Sequence, residues 1–109
     1  MYVRMNMTSK RALILNAKDN VATVTEDVEV GDVIMAALER DLRPVTAVEN
    51  IPFGFKVALT NLAKDAPVYK YGEPIGKASQ PIRKGALVHI HNVEGLRGRG
   101  DLARAETAP

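Results

Sequence analysis

The sequence is organised around Lys84-Gly-Ala-Leu-Val-His-Ile-His-Asn-Val-Glu-Gly-Leu-Arg-Gly-Arg-Gly-Asp101, which contains both histidines of the protein. Its first half is aliphatic and typical of a β-strand, with His89 and His91 at alternate positions. Side chains alternate between the two faces of a strand, so both imidazoles are predicted to project from one face, about 6.6 Å apart along the chain. Glycines then alternate with Arg97 and Arg99, where no regular structure is expected. The stretch therefore predicts two titratable rings beside an arm of guanidinium groups.

Length and composition point to one small domain. The 109 residues are 46% hydrophobic but only 5% aromatic, with no tryptophan, so the core must consist of Val, Ile, Leu and Ala. The absence of cysteine excludes disulfides and thiolate metal sites. Residues 1–10 lack the unbroken apolar run of a signal peptide, and no segment is long enough to span a bilayer. We therefore expect a cytoplasmic protein with no membrane partner.

The charge distribution argues against a nucleic-acid partner. A net charge of +2 is too small for a general nucleic-acid footprint. The positive charge is local to the C-terminal arm, whose Gly-Arg motif occurs in a single short copy without interleaved aromatic residues. We expect no nucleic acid to bind.

The chain divides into a lead-in (1–11), a domain (12–94) and a Gly/Arg-rich tail (95–109). Within the domain, an apolar run at 12–15 and a β-branched run at 21–25 flank an Asn/Asp-containing turn, which predicts a hairpin. A second hairpin is predicted around Gly72-Glu73, where Pro74 favours a sheet edge or the start of a strand.

One spacing recurs in the chain after the first hairpin. An apolar residue is followed three positions later by Gly or Asp, and after three more positions by another apolar residue. A Gly or Asp at a fixed offset indicates a residue with positive φ in a tight turn before a strand. The intervals between copies are unequal, which excludes a solenoid. The copies are Val28/Gly31/Ile34, Ile51/Gly54/Val57, Leu62/Asp65/Val68 and Ile82/Gly85/Val88.

Residues 32–43 are ambiguous when read locally. Ile34, Met35, Leu38 and Leu42 have helical spacing, and Pro44 would end such a helix. An extended strand over 33–38 fits the same residues.

Three motifs resemble a known family. They are Ile-Pro-Phe-Gly-Phe-Lys-Val-Ala-Leu (51–59), Tyr-Gly-Glu-Pro-Ile-Gly (71–76) and His-Ile-His-Asn-Val (89–93). Together, in this order, they resemble the SAF-type small domain of the altronate and galactarate dehydratase family, which includes the small subunit of sulfolactate sulfo-lyase. The resemblance extends from about Asp19 to Asp101.

The resemblance implies an all-β, SAF-type β-clip fold, with 32–43 mostly extended. It also implies a lyase, either a dehydratase or a sulfo-lyase, acting on a small hydroxy acid such as a sugar acid or sulfolactate. The family further implies a divalent metal, expected to be iron, held mainly by a large dehydratase-like partner chain. Because this chain ends soon after the small domain, it resembles a separate subunit that is not active alone. Its apolar edge also makes self-association a further expectation.

One position departs from the family pattern. The family usually reads Ile-Pro-Phe-Gly-His-Lys, and this sequence has Phe55 at the histidine position. Two interpretations follow. The chain contributes to a composite active site with its large partner, or it is a non-catalytic binding or stabilising module whose own site has lapsed.

His89 and His91 are the candidate catalytic residues, one of them acting as acid/base or substrate ligand. They are also candidate metal ligands, although two imidazoles need further ligands from Glu94, Asp101 or another chain. The simpler alternative is half-exposed strand residues with ordinary hydrogen bonds. Four residues are candidates for binding the substrate: Asn92, Arg97, Arg99 and Lys56. An arginine fork suits a carboxylate, but a solvated tail explains the two arginines equally well.

Overall fold

A computed structural model describes residues 9–95 of the chain. That range contains nine β-strands and no helix, hence none able to cross a membrane. The all-β fold class predicted from the sequence is confirmed. The strands are β1 (Ser9–Leu13), β2 (Val21–Val24), β3 (Val33–Leu38), β4 (Asp41–Thr46), β5 (Lys56–Ala58), β6 (Pro67–Lys70), β7 (Glu73–Ala78), β8 (Leu87–Val88) and β9 (Val93–Glu94).

The strands form two sheets, of order β4-β3-β1-β2-β5-β8 and β6-β7-β9. Strands β1 and β3 are parallel, and the other named pairs are antiparallel. The predicted hairpin of β1 and β2 is confirmed. One apolar cluster lies against the larger sheet, and a second lies between the smaller sheet and the β5–β8 end of the larger one. Both consist almost entirely of Val, Ile, Leu and Ala, as the composition predicts.

The ambiguous residues 32–43 belong to the hairpin of β3 and β4, so the extended interpretation is confirmed. Glu39 adopts φ of 56° in the connecting turn, where a helix could not continue. Pro44 lies in β4, at the edge of the larger sheet, where a residue without an N–H is tolerated. Pairing with β1 on one side and β4 on the other therefore outweighs the helical spacing of β3.

The repeated turn occurs in all four predicted places, and its copies associate in two pairs. The first apolar residues form antiparallel bridges, Val28 with Ile51 and Leu62 with Ile82. The fourth residue of every copy has positive φ, as the sequence predicts. The N–H of this fourth residue donates to the carbonyl of the residue that lies four positions before the first residue of the partner copy. These pairs are Gly31 to Ala47, Gly54 to Val24, Asp65 to Ala78 and Gly85 to Ala58, at 2.8–2.9 Å.

Side chains preceding the copies fasten each pair. The Asp27 carboxylate accepts the N–H of Phe53, and the Asn50 carbonyl accepts that of Val30, both at 2.9 Å. Asn61 does the same for Lys84 at 2.8 Å. These hydrogen bonds satisfy backbone donors that a turn would otherwise expose. The paired turns place β5 beside β8, which brings the segments around residues 55 and 89 together.

The turn between β1 and β2 holds the second sheet. The buried Asp19 carboxylate accepts the N–H groups of Tyr71 and Gly72, at 3.1 and 2.8 Å. These two residues have φ of 60° and 75° and form the loop of the predicted β6–β7 hairpin, one residue earlier than expected. Asn20 donates to the Pro67 carbonyl and accepts from the Tyr69 N–H. One short turn thus anchors both ends of β6.

We expect Asp19→Ala to destabilise the protein by about 2–3 kcal/mol, because it leaves two N–H groups without their charged acceptor. It also removes a hydrogen bond that compensates the positive φ of Tyr71, a backbone conformation that is costly for a non-glycine residue. Urea unfolding would measure the change, with the exposed Lys18→Ala in the same turn as the control. A loss below about 1 kcal/mol would mean that Asp19 does not anchor the hairpin.

Candidate functional site

The two histidines do not share a strand. Strand β8 ends at Val88, and residues 89–92 form a tight turn closed by the Asn92 N–H and the His89 carbonyl, 3.1 Å apart. The predicted strand through both histidines is therefore wrong, and so is the prediction that their rings project from one strand face. Val93, the last residue of the aliphatic run, begins β9 in the other sheet.

Asn92 explains why the strand ends. Its side chain is 5% exposed; the Oδ1 atom accepts the His89 N–H at 2.9 Å, and Nδ2 donates to the Leu87 carbonyl at 2.8 Å. An asparagine that bonds nearby backbone groups competes with a strand ladder and favours a turn. Asn92 therefore fixes the position of His89. Its predicted role as a substrate ligand stays a prediction.

His89 lies beside the residue that departs from the family pattern. The rings of Phe55 and His89 have centroids 4.6 Å apart and are tilted by 54°. The contact follows from the pairing of β5 with β8, in which Lys56 lies opposite Val88. An aromatic contact of this kind restricts the imidazole to one side of the turn. Phe55 thus packs against a candidate catalytic ring.

His89 and Lys56 line one groove of about 260 Å³, here called the Lys56–His89 groove. Its other lining residues are Ile75, Ile90, Val93 and Gly95. None of the lining residues is an acid, and Lys56 makes no ion pair within residues 9–95. The groove thus presents a cation and an imidazole against mostly apolar walls, which suits a small anion with an apolar or hydroxylated body.

Burial, and to a smaller extent the positive charge of Lys70, lowers the pKa of the Lys56 ammonium below its ordinary value of 10.5. Both causes disfavour the charged form. A bound anion would have the opposite effect, because it stabilises the ammonium. The electrostatics of the groove therefore favour the binding of negative charge.

His91 lies elsewhere. It is exposed and lines a separate groove with Glu49, Gln80 and Arg83. The structure therefore brings Lys56 together with His89 but not with His91. Joint metal ligation and catalysis by the two histidines stay predictions. Arg97 and Arg99 lie outside the described residues, and their predicted role in binding substrate also stays a prediction.

The described residues do not form a metal site by themselves. Within residues 9–95, no three side chains of His, Cys, Asp or Glu converge as ligands. His89 could supply one nitrogen, but the remaining ligands would have to come from outside this part of the chain. Residues 9–95 by themselves therefore supply too few ligands for a divalent metal.

Sequence reasoning missed the apolar walls of the groove and the cation beside Lys56. Ile75 and Val93 come from the smaller sheet, whose packing against β5 has no local signal. The proximity of Lys56 and Lys70 likewise depends on tertiary packing. The turn-forming tendency of Asn92 is the one signal that could have corrected the strand prediction.

The protein is thus a small all-β domain of two sheets joined by paired turns. Its candidate site is a groove at the surface that suits an anion. The chain belongs to the altronate/galactarate dehydratase SAF domain family, which it matches over residues 10–96. The resemblance drawn from the sequence motifs is confirmed.

Relatives carry this domain in two arrangements. The chain is 41% identical to altronate dehydratase of Escherichia coli over 78 residues, which cover 72% of this chain but 15% of that protein. It is 38% identical to (2R)-sulfolactate sulfo-lyase subunit alpha of Chromohalobacter salexigens over 88 residues, covering 78% of this chain and 94% of that subunit. Altronate dehydratase of Bacillus subtilis is 31% identical, with 16% of its length covered. The domain therefore occurs both as part of a long chain and as nearly a whole subunit.

We expect Lys56 to titrate below its ordinary pKa of 10.5, which NMR of its Cε resonance would measure. The unfolded chain holds the Lys56 proton up to pH 10.5, whereas the folded chain loses it earlier. Between these two pKa values the unfolded state binds more protons, so stability contributed by this group rises with pH. Lys56→Met should remove that rise. A Lys56 resonance that titrates at pH 10.5 or above would contradict the lowered pKa.

Proposed function

We propose that this protein is the small subunit of a hydroxy-acid lyase and that the Lys56–His89 groove is its contribution to a composite active site. The other part of that site belongs to a large, metal-binding, dehydratase-like subunit. The substrate class is a small hydroxy acid, of the sugar-acid or sulfolactate type. The cytoplasm is the proposed location.

One observation carries the proposal: among residues 9–95, a half-buried lysine without an ion pair and a histidine share a groove that no acid lines. Family membership supports it, since curated relatives are altronate dehydratases and sulfolactate sulfo-lyase alpha subunits. The name of the sulfolactate sulfo-lyase relative, subunit alpha, supports a multi-subunit assembly. The open, small groove is consistent with a site completed by another chain.

The chemistry assigns a role to each group. Elimination from a hydroxy acid requires a proton to leave the carbon next to the carboxylate while the leaving group departs from the neighbouring carbon. Lys56 is suited to hold the carboxylate as a point charge. His89 is suited to accept or return the proton, because an imidazole can act as a general base or a general acid. A divalent metal in the partner, when bound, would supply Lewis acidity for the developing oxyanion.

Phe55 supports a second candidate function. Where the family pattern has a histidine, this chain places a phenyl ring against His89, 4.6 Å between centroids. If catalysis in this family depends on an imidazole at that position, the groove binds an anion without turning it over. The protein would then be a binding or stabilising module of its assembly.

The test is isolation of the tagged full-length protein from its own cells, with mass spectrometry and metal analysis of the recovered assembly. A stoichiometric large dehydratase-like chain containing iron, with elimination activity on sugar acids or sulfolactate, is the expected result. Recovery of the chain alone and metal-free would overturn the proposed subunit role. A large chain present but inactive, with a Lys56 pKa that rises on adding hydroxy acid, would favour the binding module.

A further inference from the structure

The larger sheet has an apolar face that the described chain leaves uncovered. In one row across the sheet, Met35 of β3 lies between Arg11 of β1 and Pro44 of β4. In the next row, Ala37 of β3 lies between Leu13 of β1 and Leu42 of β4. The alternate residues of these strands point into the core, since Ala12, Ile34, Ala36 and Val45 are buried. The apolar residues of these rows and the neighbouring Val33 are here called the β3 face, which consists of Leu13, Val33, Met35, Ala37, Leu42 and Pro44.

The composition of β3 is unusual for a strand with one solvent side. Antiparallel strands with a solvated face normally alternate apolar and polar residues, whereas Val33-Ile-Met-Ala-Ala-Leu38 is apolar throughout. Leu13 and Leu42, at the two sides of the β3 face, are 48% and 53% exposed. A strand that is apolar on both faces is typical of one that is covered on both faces.

We propose that the β3 face is the surface on which the large lyase subunit docks. This inference rests on the proposed function, and it names where the partner binds rather than where the substrate binds. The complementary surface on the partner is apolar and fringed by carboxylates. Arg11, exposed at this face, makes no ion pair within residues 9–95 and would meet that fringe.

Area argues for a large partner rather than a second copy. Three strands about 4.8 Å apart and three residue rows along them give a face of roughly 300 Å². A stable interface needs about 800 Å² from each partner, so two such faces packed on each other would be too small for a stable dimer. A larger chain can also contact the surface of this chain beside the face and so bury the remaining area.

The open edge of β4 argues for packing on the face instead of strand addition. Pro44 lies in the middle of this edge strand and has no N–H to donate. Proline in an edge strand opposes pairing with a further strand, from a second copy or from another chain. A groove of about 460 Å³ lies beside β4, with Leu42, Pro44 and Leu59 among its lining residues, and a partner side chain can insert there.

The chain has no cysteine, so single-cysteine variants report accessibility cleanly. Leu42→Cys tests the β3 face, and Phe53→Cys, 66% exposed in the turn after Ile51, is the matched control. Both are made in the tagged full-length protein, isolated with its native assembly and reacted with a maleimide. We expect modification of Leu42→Cys to slow at least about tenfold relative to the free chain, with Phe53→Cys almost unchanged, because interface cores exclude solvent.

The other outcomes separate this inference from the proposed function. A reactive Leu42→Cys in an assembly that contains the large chain would overturn the docking face and leave the subunit role intact. A reactive Leu42→Cys with no large chain would overturn both. Protection without a large chain would assign the face to a second copy, and equal protection of Phe53→Cys would mean that burial is not specific to the face. Circular dichroism of each variant confirms that it folds.

Discussion

Gly85→Ala is expected to destabilise the protein by about 4 kcal/mol or more, a large fraction of the stability of an ordinary domain. Two effects add. Gly85 has φ of 90°, a conformation that costs an alanine energy by itself. A Cβ at this position would also collide with the Thr46 carbonyl oxygen, in backbone that is fixed by the Val48 N–H bonding the Gly85 carbonyl at 3.0 Å. Relief would require moving β4 away from the fourth turn copy.

Gly54→Ala is the matched control, because Gly54 occupies the same position of a paired turn copy. Its φ is 88°, but an added Cβ would meet nothing within 4 Å. Only the conformational cost applies, so the expected loss is about 1 kcal/mol. Urea unfolding measures the free energy of unfolding of both variants, provided that their m-values are equal. The difference between the two losses is the cost of the collision with Thr46. Equal losses would show that the contact of residue 85 with Thr46 does not decide stability.

Local signals were sufficient for much of the fold. The recurring spacing from an apolar residue to Gly or Asp has one physical cause, because the fourth position of the turn requires positive φ. That residue has positive φ in all four copies. Asp65 shows how far the signal extends, since it adopts φ of 73° where the other copies have glycine. The pairing of the copies could not be predicted, because bridges such as Val28 with Ile51 join residues without a distinguishing local pattern.

The candidate site was predicted less well, and the reason is a competition at Asn92. Branched residues and strict alternation favour a strand through His91, but the buried Asn92 amide captures the backbone of residues 87 and 89 and ends it. Two imidazoles that the strand period places together are thereby separated into different grooves. The pairing of Lys56 with His89 depends on the β5–β8 contact, which only the folded chain reveals.

This separation gives the histidines different expected effects in the assembled enzyme. His89→Ala should lower kcat by about 100-fold or more, since a positioned acid/base group contributes a factor of about 10² to 10⁴. His91→Ala should leave kcat almost unchanged, because His91 does not line the groove that contains Lys56. Steady-state kinetics of the assembly would measure both, with co-purification of the large subunit as the check on assembly.

The pH profile distinguishes a proton-transferring His89 from a merely structural one. Loss of an acid/base group should remove one limb of the kcat profile, whereas loss of packing against Phe55 should lower kcat at every pH alike. A normal rate in His89→Ala with a lost rate in His91→Ala would move the site to the groove beside Glu49. Full activity in the double variant would leave both imidazoles without a catalytic role. Because Phe55 already occupies the family histidine position, that result would favour a chain that binds its substrate or partner while the large subunit performs the chemistry.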